Sequence, residues 1–425
     1  MVFGQRTEMR VLAICLVLLA GYTTAGQIVR YDNYRVYKLT PHTPQALKQL
    51  KELEQSGSEL DFWNEVRGLH MATDVVVPPK YLVQIENFIN SSQIESELMI
   101  ENVQSLIDHE NVKSKSLTLD WTAYYTLDEI NAWLESLQEQ YPDLIEVITV
   151  GRSYEGRDIK GVKLSYSKAN ENNAIFLEAN IHAREWITSA VCTYILNELL
   201  TSTDKRVRAL AESHDWYVVP VFNPDGFQYT KTSDRLWRKT RVPYGILCYG
   251  ADPNRNWGYH WNEGGSSSNP CSDTYNGPQA FSEPSTRTIA EYIDTISSKL
   301  VGYIAFHSYS QLLLIPYGYS SEHLDNFDEL EEIGLKAAAS LAQRYGTKYT
   351  VGNIVETIYI ASGGSMDWVK GTYGTPVTYT YELRDTGRYG FLLPPEQIIP
   401  TGEETLDSLV TIFEEYDAKR ANKSN

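Results

Sequence analysis

In the longer, C-terminal part of the chain, hydrophobic residues switch repeatedly between two periods. Short runs rich in β-branched and aromatic side chains at 145–150, 159–165, 174–179, 216–221, 301–306 and 376–381 predict strands. Apolar residues three and four apart predict helices at 127–140, 187–200, 283–297, 330–344 and 401–416. The last helix has an apolar stripe at Leu406, Leu409, Val410 and Phe413, and Thr401 with Glu404 reads as a capping box at its start. Strands alternating with helices predict an α/β domain whose mixed, largely parallel twisted sheet is flanked by helices. Residues 231–281 carry no strong period, and so long a connection inside a compact domain is usually functional.

The front of the chain follows another pattern. Residues 29–37 alternate like a strand, and 45–53 have helical spacing that stops at Gly57. Strands fit 60–63, 72–77 (ending at Pro78 and Pro79) and 97–100, with a helix at 81–89. Two helices among short strands predict a small open α/β sandwich of the ferredoxin-like kind. A polar connector follows at 108–117, with Lys113 and Lys115 exposed to proteolytic nicking.

Before all this, residues 11–20 are apolar, follow Arg6 and Arg10, and lead to Thr23, Thr24 and Ala25. That run is too short for a bilayer, which needs about 20 residues. It reads as a signal peptide cut after Ala25, with Met9 an alternative start. The expected division is therefore signal 1–25, front domain and connector 26–115, and main domain 116–425 of a secreted, extracellular protein. A net charge of -18 argues against nucleic acid as a partner, since phosphates would be repelled. An oxidising compartment makes the cysteines legible. Cys15 leaves with the signal, Cys192 lies in a predicted buried helix, and Cys248 pairs with Cys271 around a Gly- and Ser-rich stretch. Asn90 and Asn422 head glycosylation tripeptides.

Candidate chemistry comes from where the histidines fall. In open α/β sheets, ligands bind beyond the carboxyl ends of strands. Among eight histidines, only His182 and His307 closely follow apolar strands of the main domain. Glu185 stands three residues after His182, and Glu382 closes the strand at 376–381. Two imidazoles and the Glu185 carboxylate make a three-ligand set suited to one catalytic Zn²⁺ per chain. Glu382 then has the role of the base that takes a proton from water, against a plain salt bridge to Arg384.

These residues lie in a series of motifs: His182-Ala-Arg-Glu-Trp, Asn223-Pro-Asp-Gly, Trp237-Arg-Lys-Thr-Arg, Asn254-Arg-Asn-Trp, His307-Ser-Tyr-Ser-Gln-Leu, Ala361-Ser-Gly-Gly-Ser-Met-Asp and Glu382-Leu-Arg-Asp-Thr-Gly. Together they resemble the secreted, pancreatic-type zinc carboxypeptidases from about Leu117 onward, with a front domain similar to that family's propeptide. The resemblance implies that Arg255 with Asn254 clamps a free C-terminal carboxylate, a task suited to a planar guanidinium. It implies that Arg238 steadies the developing oxyanion, that Arg184 and Tyr309 contact substrate further out, and that Tyr359 closes over the bound end. The base of the specificity pocket falls at Met366, with Ile354 and Thr380 on its walls. An apolar base would leave a basic side chain desolvated and unpaired, so release of aromatic and large aliphatic residues is expected. Met departs from the family's usual residue there, which leaves the ranking among them open.

The expectation is a monomeric zymogen that acts on peptide or protein C-termini once a trypsin-like protease cuts after Lys113 or Lys115, with no nucleic acid or membrane partner. The alternatives are an inactive carboxypeptidase-like peptide binder, which would be expected to lack a ligand or the base, and an aspartic protease built on Asp385-Thr386-Gly387, which lacks the second such tripeptide that a single-chain enzyme needs.

Overall fold

The computed structural model describes residues 28–56, 59–110, 118–168 and 172–424. The front unit runs through β1 (Arg35–Thr40), α1 (Pro44–Gln55), β2 (Asp61–Phe62), β3 (Thr73–Val77), α2 (Leu82–Ser92), β4 (Glu95–Ile100) and α3 (Val103–Glu110). Its antiparallel sheet has the order β2-β3-β1-β4, the ferredoxin-like arrangement predicted. Val75 and Val77 face α1 and α2 with Leu39, Leu50 and Ile85. Val76, one residue out of phase, faces the opposite way with Val36 and packs toward Leu236, Phe391 and Leu392 of the main unit. The sheet is thus buried on both faces, which is why three consecutive valines, Val75 to Val77, replace the polar/apolar alternation of a one-sided strand.

Several front-unit boundaries differ from expectation. The first strand starts at Arg35 rather than near residue 29, because the Val29 amide instead donates to the Ser233 carbonyl of the main unit at 2.8 Å. The strand expected at 60–63 shrinks to Asp61–Phe62. Helix α3 occupies the first three residues of the expected connector and ends at a buried Glu110. Lys113 and Lys115, and the expected signal segment, lie outside the described residues.

The main unit continues with α4 (Leu127–Gln140), β5 (Ile145–Arg152), β6 (Asp158–Leu164), β7 (Asn173–Ala179), α5 (Trp186–Thr201), α6 (Lys205–Ser213), β8 (His214–Val219), α7 (Pro224–Thr232), β9 (Pro243–Tyr244), β10 (Cys248–Tyr249) and α8 (Pro284–Ile296). It closes with β11 (Leu300–Ser308), β12 (Leu312–Ile315), α9 (Phe327–Tyr345), β13 (Thr350–Asn353), α10 (Ile354–Thr357), α11 (Ser365–Tyr373), β14 (Val377–Leu383) and α12 (Ile398–Ser424). Eight strands form one sheet in the order β13-β12-β14-β11-β7-β8-β6-β5. Its centre, β14-β11-β7-β8, is parallel, and β6 and β5 add on antiparallel. One core packs α4, α5, α9 and α12 against one face, and a second packs α8 and α11 against the other.

The capping box expected at Thr401 is absent. Helix α12 begins three residues earlier, the Thr401 hydroxyl donates back to the Gln397 carbonyl at 2.6 Å, and Glu404 is buried against Arg384. No helix among the described residues is long and apolar enough to cross a membrane.

Candidate metal centre and substrate cleft

Beyond the end of β7 the chain turns sharply at Asn180, whose φ of 57° lies in the left-handed region that Asn tolerates. Its side-chain amide donates to the carbonyls of His182 and Glu185 at 3.2 Å each, winding the 180–185 turn. His182 and Glu185 thereby face His307, the next-to-last residue of β11. The His182 and His307 Nδ1 atoms lie 3.2 Å apart, and Glu185 Oε1 lies 2.8 Å from His182 Nδ1. All three side chains are buried, and their ligand atoms lie within 4.8 Å of one another, close enough to hold one metal ion. Two nitrogens and a carboxylate oxygen converging on one point fit zinc by donor type. Burial alone would raise the Glu185 carboxyl, but His182 and His307 outweigh it and hold Glu185 well below the usual carboxylate range. Burial likewise opposes charge on His307, and the hydrogen bond and charge of Glu185 still raise its pKa.

Glu382 pairs in register with His307 across the parallel β11–β14 ladder, so the two side chains leave the same face of the sheet. Thr380, two residues back, and Leu314, its partner on β12, share that face and line the cleft. Burial pushes Glu382 up to about 8, eased by His307 and sharpened by Glu185. The Arg384 salt bridge that was its rival role goes elsewhere: Arg384 reaches Glu404 across the turn into α12.

Asp252 was not singled out from sequence. Fully buried, it accepts from His182 Nε2 at 3.1 Å and from Arg238 Nη2 at 2.8 Å. Desolvation would raise it, but Arg238, His182 and Arg255 together hold it well below the usual range. One carboxylate therefore orients both a metal ligand and the arginine beside the centre, whose Nη1 lies 3.8 Å from Glu185. The available signal was its place two residues before Asn254-Arg255.

Arg255 is buried; its Nε donates to the Gly265 carbonyl and its Nη1 to the Asn254 carbonyl, while Nη2 has no protein partner. Asn254 accepts from the Ser365 amide at 2.9 Å, which ties the clamp to the start of α11. Tyr359 lies beneath the Arg255 guanidinium at 5.8 Å. Met366 is buried, accepts from the Thr380 hydroxyl through its sulfur at 3.4 Å, and lines the cleft with Ile354. Asp367 turns its carboxylate to the amides of Gly318 and Tyr319, at 2.8 to 3.1 Å. Beneath the pocket, Ser365 donates to the buried Glu178 on β7, a second residue that sequence reasoning passed over.

The front unit roofs this cleft, contributing Trp63, Asn64 and Arg67 to its lining. Trp63 packs edge-on against Tyr309 and Phe391, and the Tyr309 hydroxyl donates to Asp74 at 2.5 Å. Arg184 is buried between Asp61 of the front unit at 3.8 Å and Asp273 at 3.5 Å. At the end of α3, Glu110 meets Arg235 in a buried two-pronged ion pair at 2.8 and 3.0 Å. Asp385 accepts from the amides of Gly387, Tyr389 and Gly390, so the Asp-Thr-Gly tripeptide braces a turn. Cys248 and Cys271 form a disulfide and Cys192 is a buried free thiol, as expected.

The family model for zinc carboxypeptidases matches residues 130–408, and that for the carboxypeptidase activation peptide matches 37–110. The chain is 50% identical to a zinc carboxypeptidase A 1 of Anopheles gambiae over 96% of this chain and 95% of that one. It is 48% identical to a carboxypeptidase B of Astacus astacus over 69% of this chain and 97% of that one. A crystal structure of carboxypeptidase A from Helicoverpa armigera superposes with a TM-score of 0.82 at 30% identity, covering 91% of this chain and 98% of that chain.

Proposed function

The chain belongs to the zinc carboxypeptidase family, carries that family's activation peptide and uses Zn²⁺; from that premise we propose a secreted, monomeric zymogen whose mature form releases single aromatic or large aliphatic C-terminal residues. The proposed units are a signal peptide at 1–25, a propeptide with its connector at 26–115, and a catalytic domain at 116–425. A trypsin-like protease would open the connector after Lys113 or Lys115.

His182, Glu185 and His307 would hold the metal. Bound zinc supplies Lewis acidity, which makes water nucleophilic near neutral pH and polarises a carbonyl. Glu382 removes the proton from the attacking water and returns it to the leaving amine; a carboxyl held near neutrality suits both transfers. Arg238, kept charged and fixed by Asp252, steadies the negative oxygen that develops. Arg255, with one guanidinium nitrogen uncommitted, and Asn254 grip the substrate carboxylate.

Relatives named for both A-type and B-type enzymes leave side-chain preference to the pocket itself. The observation that carries the apolar reading is the pairing of a Met366 base with an Asp367 carboxylate already committed to backbone amides. A C-terminal residue screen on lysine-cleaved protein, with and without chelator and with amidated controls, tests it. Rapid release of Phe, Tyr, Leu and Met, abolished by chelator or amidation, is expected. Faster release of Lys and Arg would overturn the specificity, and activity surviving the chelator would overturn the mechanism.

A further inference from the structure

The front unit holds a second pair of imidazoles that aim at one another. His42 sits between β1 and α1, immediately before Thr43, whose hydroxyl caps α1 by accepting from the Ala46 amide. His70 lies in the loop entering β3 with a φ of 63°, and its amide donates to the Pro41 carbonyl at 2.8 Å. That backbone bond clasps the two loops, and the His42 and His70 Nδ1 atoms come within 2.8 Å. Glu95, which opens β4 opposite Thr40 of β1, takes the far side of His42, with Oε2 at 2.5 Å from Nε2.

The Glu95 carboxylate calls for a proton on His42 Nε2, which leaves the Nδ1 lone pair directed at His70. A carboxylate on the distal nitrogen is the usual partner of a metal-binding histidine, because it fixes the tautomer and raises ligand basicity. The same design recurs within this protein. At the catalytic cleft, two Nδ1 atoms lie 3.2 Å apart and His182 Nε2 is held by Asp252 at 3.1 Å. Two nitrogens on one tetrahedral zinc stand ~3.3 Å apart for Zn–N bonds of about 2.0–2.1 Å. The exposed pair therefore needs to open by only ~0.5 Å to accept an ion.

We propose that His42 and His70, oriented by Glu95, form a second divalent transition-metal site on the exposed edge of the front unit. Both rings are exposed, so water completes the coordination and binding is weaker than in the buried cleft. Imidazole donors favour zinc, copper or nickel over calcium or magnesium. The bound ion would lock the β1–α1 loop to the loop entering β3.

The test is a Zn²⁺ titration, followed calorimetrically, of the full zymogen with its catalytic site already loaded with zinc. One further ion per chain is expected for the wild type. His42→Ala and His70→Ala should each weaken it at least tenfold, and Glu95→Gln should weaken it ~10-fold by removing the orienting carboxylate. His323→Ala, which removes a lone imidazole beside Glu356, should leave it unchanged. Circular dichroism matching the wild type shows that each variant is folded. Absence of a further ion, its persistence in a folded His42→Ala, His70→Ala double variant, or its loss in His323→Ala would each overturn the proposal.

Discussion

The two sides of the cleft reach precision by different physical means. His307 and Glu382 stand on β11 and β14 in the middle of the sheet, where a ladder of backbone hydrogen bonds sets their spacing. Arg238, Asp252, Asn254 and Arg255 stand between α7 and α8, where regular structure is limited to the two-residue pair β9 and β10 and a single 3-10 turn at Pro253–Arg255. There, buried and half-buried side chains bonding to backbone and to one another replace the ladder: Asp252 to Arg238, Asn254 to the Ser365 amide, Arg255 to the Gly265 carbonyl. Groups that make and break bonds sit on regular structure; groups that grip the substrate sit on chain that could be recast without disturbing the sheet.

If that contrast is sound, the largest effect belongs to the strand side. Glu382→Gln should lower kcat by ~10³-fold while zinc content and melting temperature hold, since only the proton acceptor is lost. Loss of zinc in this variant would mean that Glu382 serves the metal as well. Asp252→Ala is the sharpest probe of the loop side, because it reaches the centre through His182. It should weaken zinc binding ~10–100-fold in competition with a chelator, and unchanged affinity would restrict Asp252 to bracing Arg238. Arg255→Ala should raise KM far more than it lowers kcat; losing hydrogen bonds to a charged group is worth about 1.5–3 kcal/mol, or roughly 10–100-fold in kcat/KM. Met366→Asp should move preference toward C-terminal Lys and Arg in a residue screen, and continued preference for Phe and Leu would place the pocket base elsewhere. The smallest change in turnover is expected from Cys271→Ser. Closing a loop of sequence separation 23 contributes at most about 3 kcal/mol, read as a lower melting temperature with kcat of the folded fraction intact.

Much of the strand side was legible from sequence because its period is set by burial. β7, β11 and β14 are covered on both faces and read as runs rich in β-branched and aromatic residues, with a chemically active residue near each carboxyl end: His182 three positions past β7, His307 in β11 and Glu382 in β14. β12 and β13 escaped notice because four residues are too few to show a period. α6 and α7 were missed for a similar reason, each spanning nine residues beside long connections. The error at Thr401 has a different origin. Its spacing to Glu404 matches a cap, yet Glu404 is held by Arg384, some twenty positions back, and such a tertiary pairing leaves no local trace. Glu178 was invisible for that same reason, and Asp252 left only its place beside Asn254-Arg255 as a signal, since both act through partners remote in sequence. The clamp and pocket residues could be named only through motif resemblance; nothing in the local pattern of 231–281 distinguishes Arg255 from a loop-bracing arginine.

The in-register placement of His307 opposite Glu382 makes catalytic competence an all-or-none property of strand alignment. A one-residue slip of β14 against β11 would send the acid to the opposite side of the sheet, beneath the helices, with no intermediate geometry available. Mispaired molecules would therefore be wholly silent in turnover rather than merely slow. A preparation containing them would show fewer working sites per mole of protein, each running at full speed.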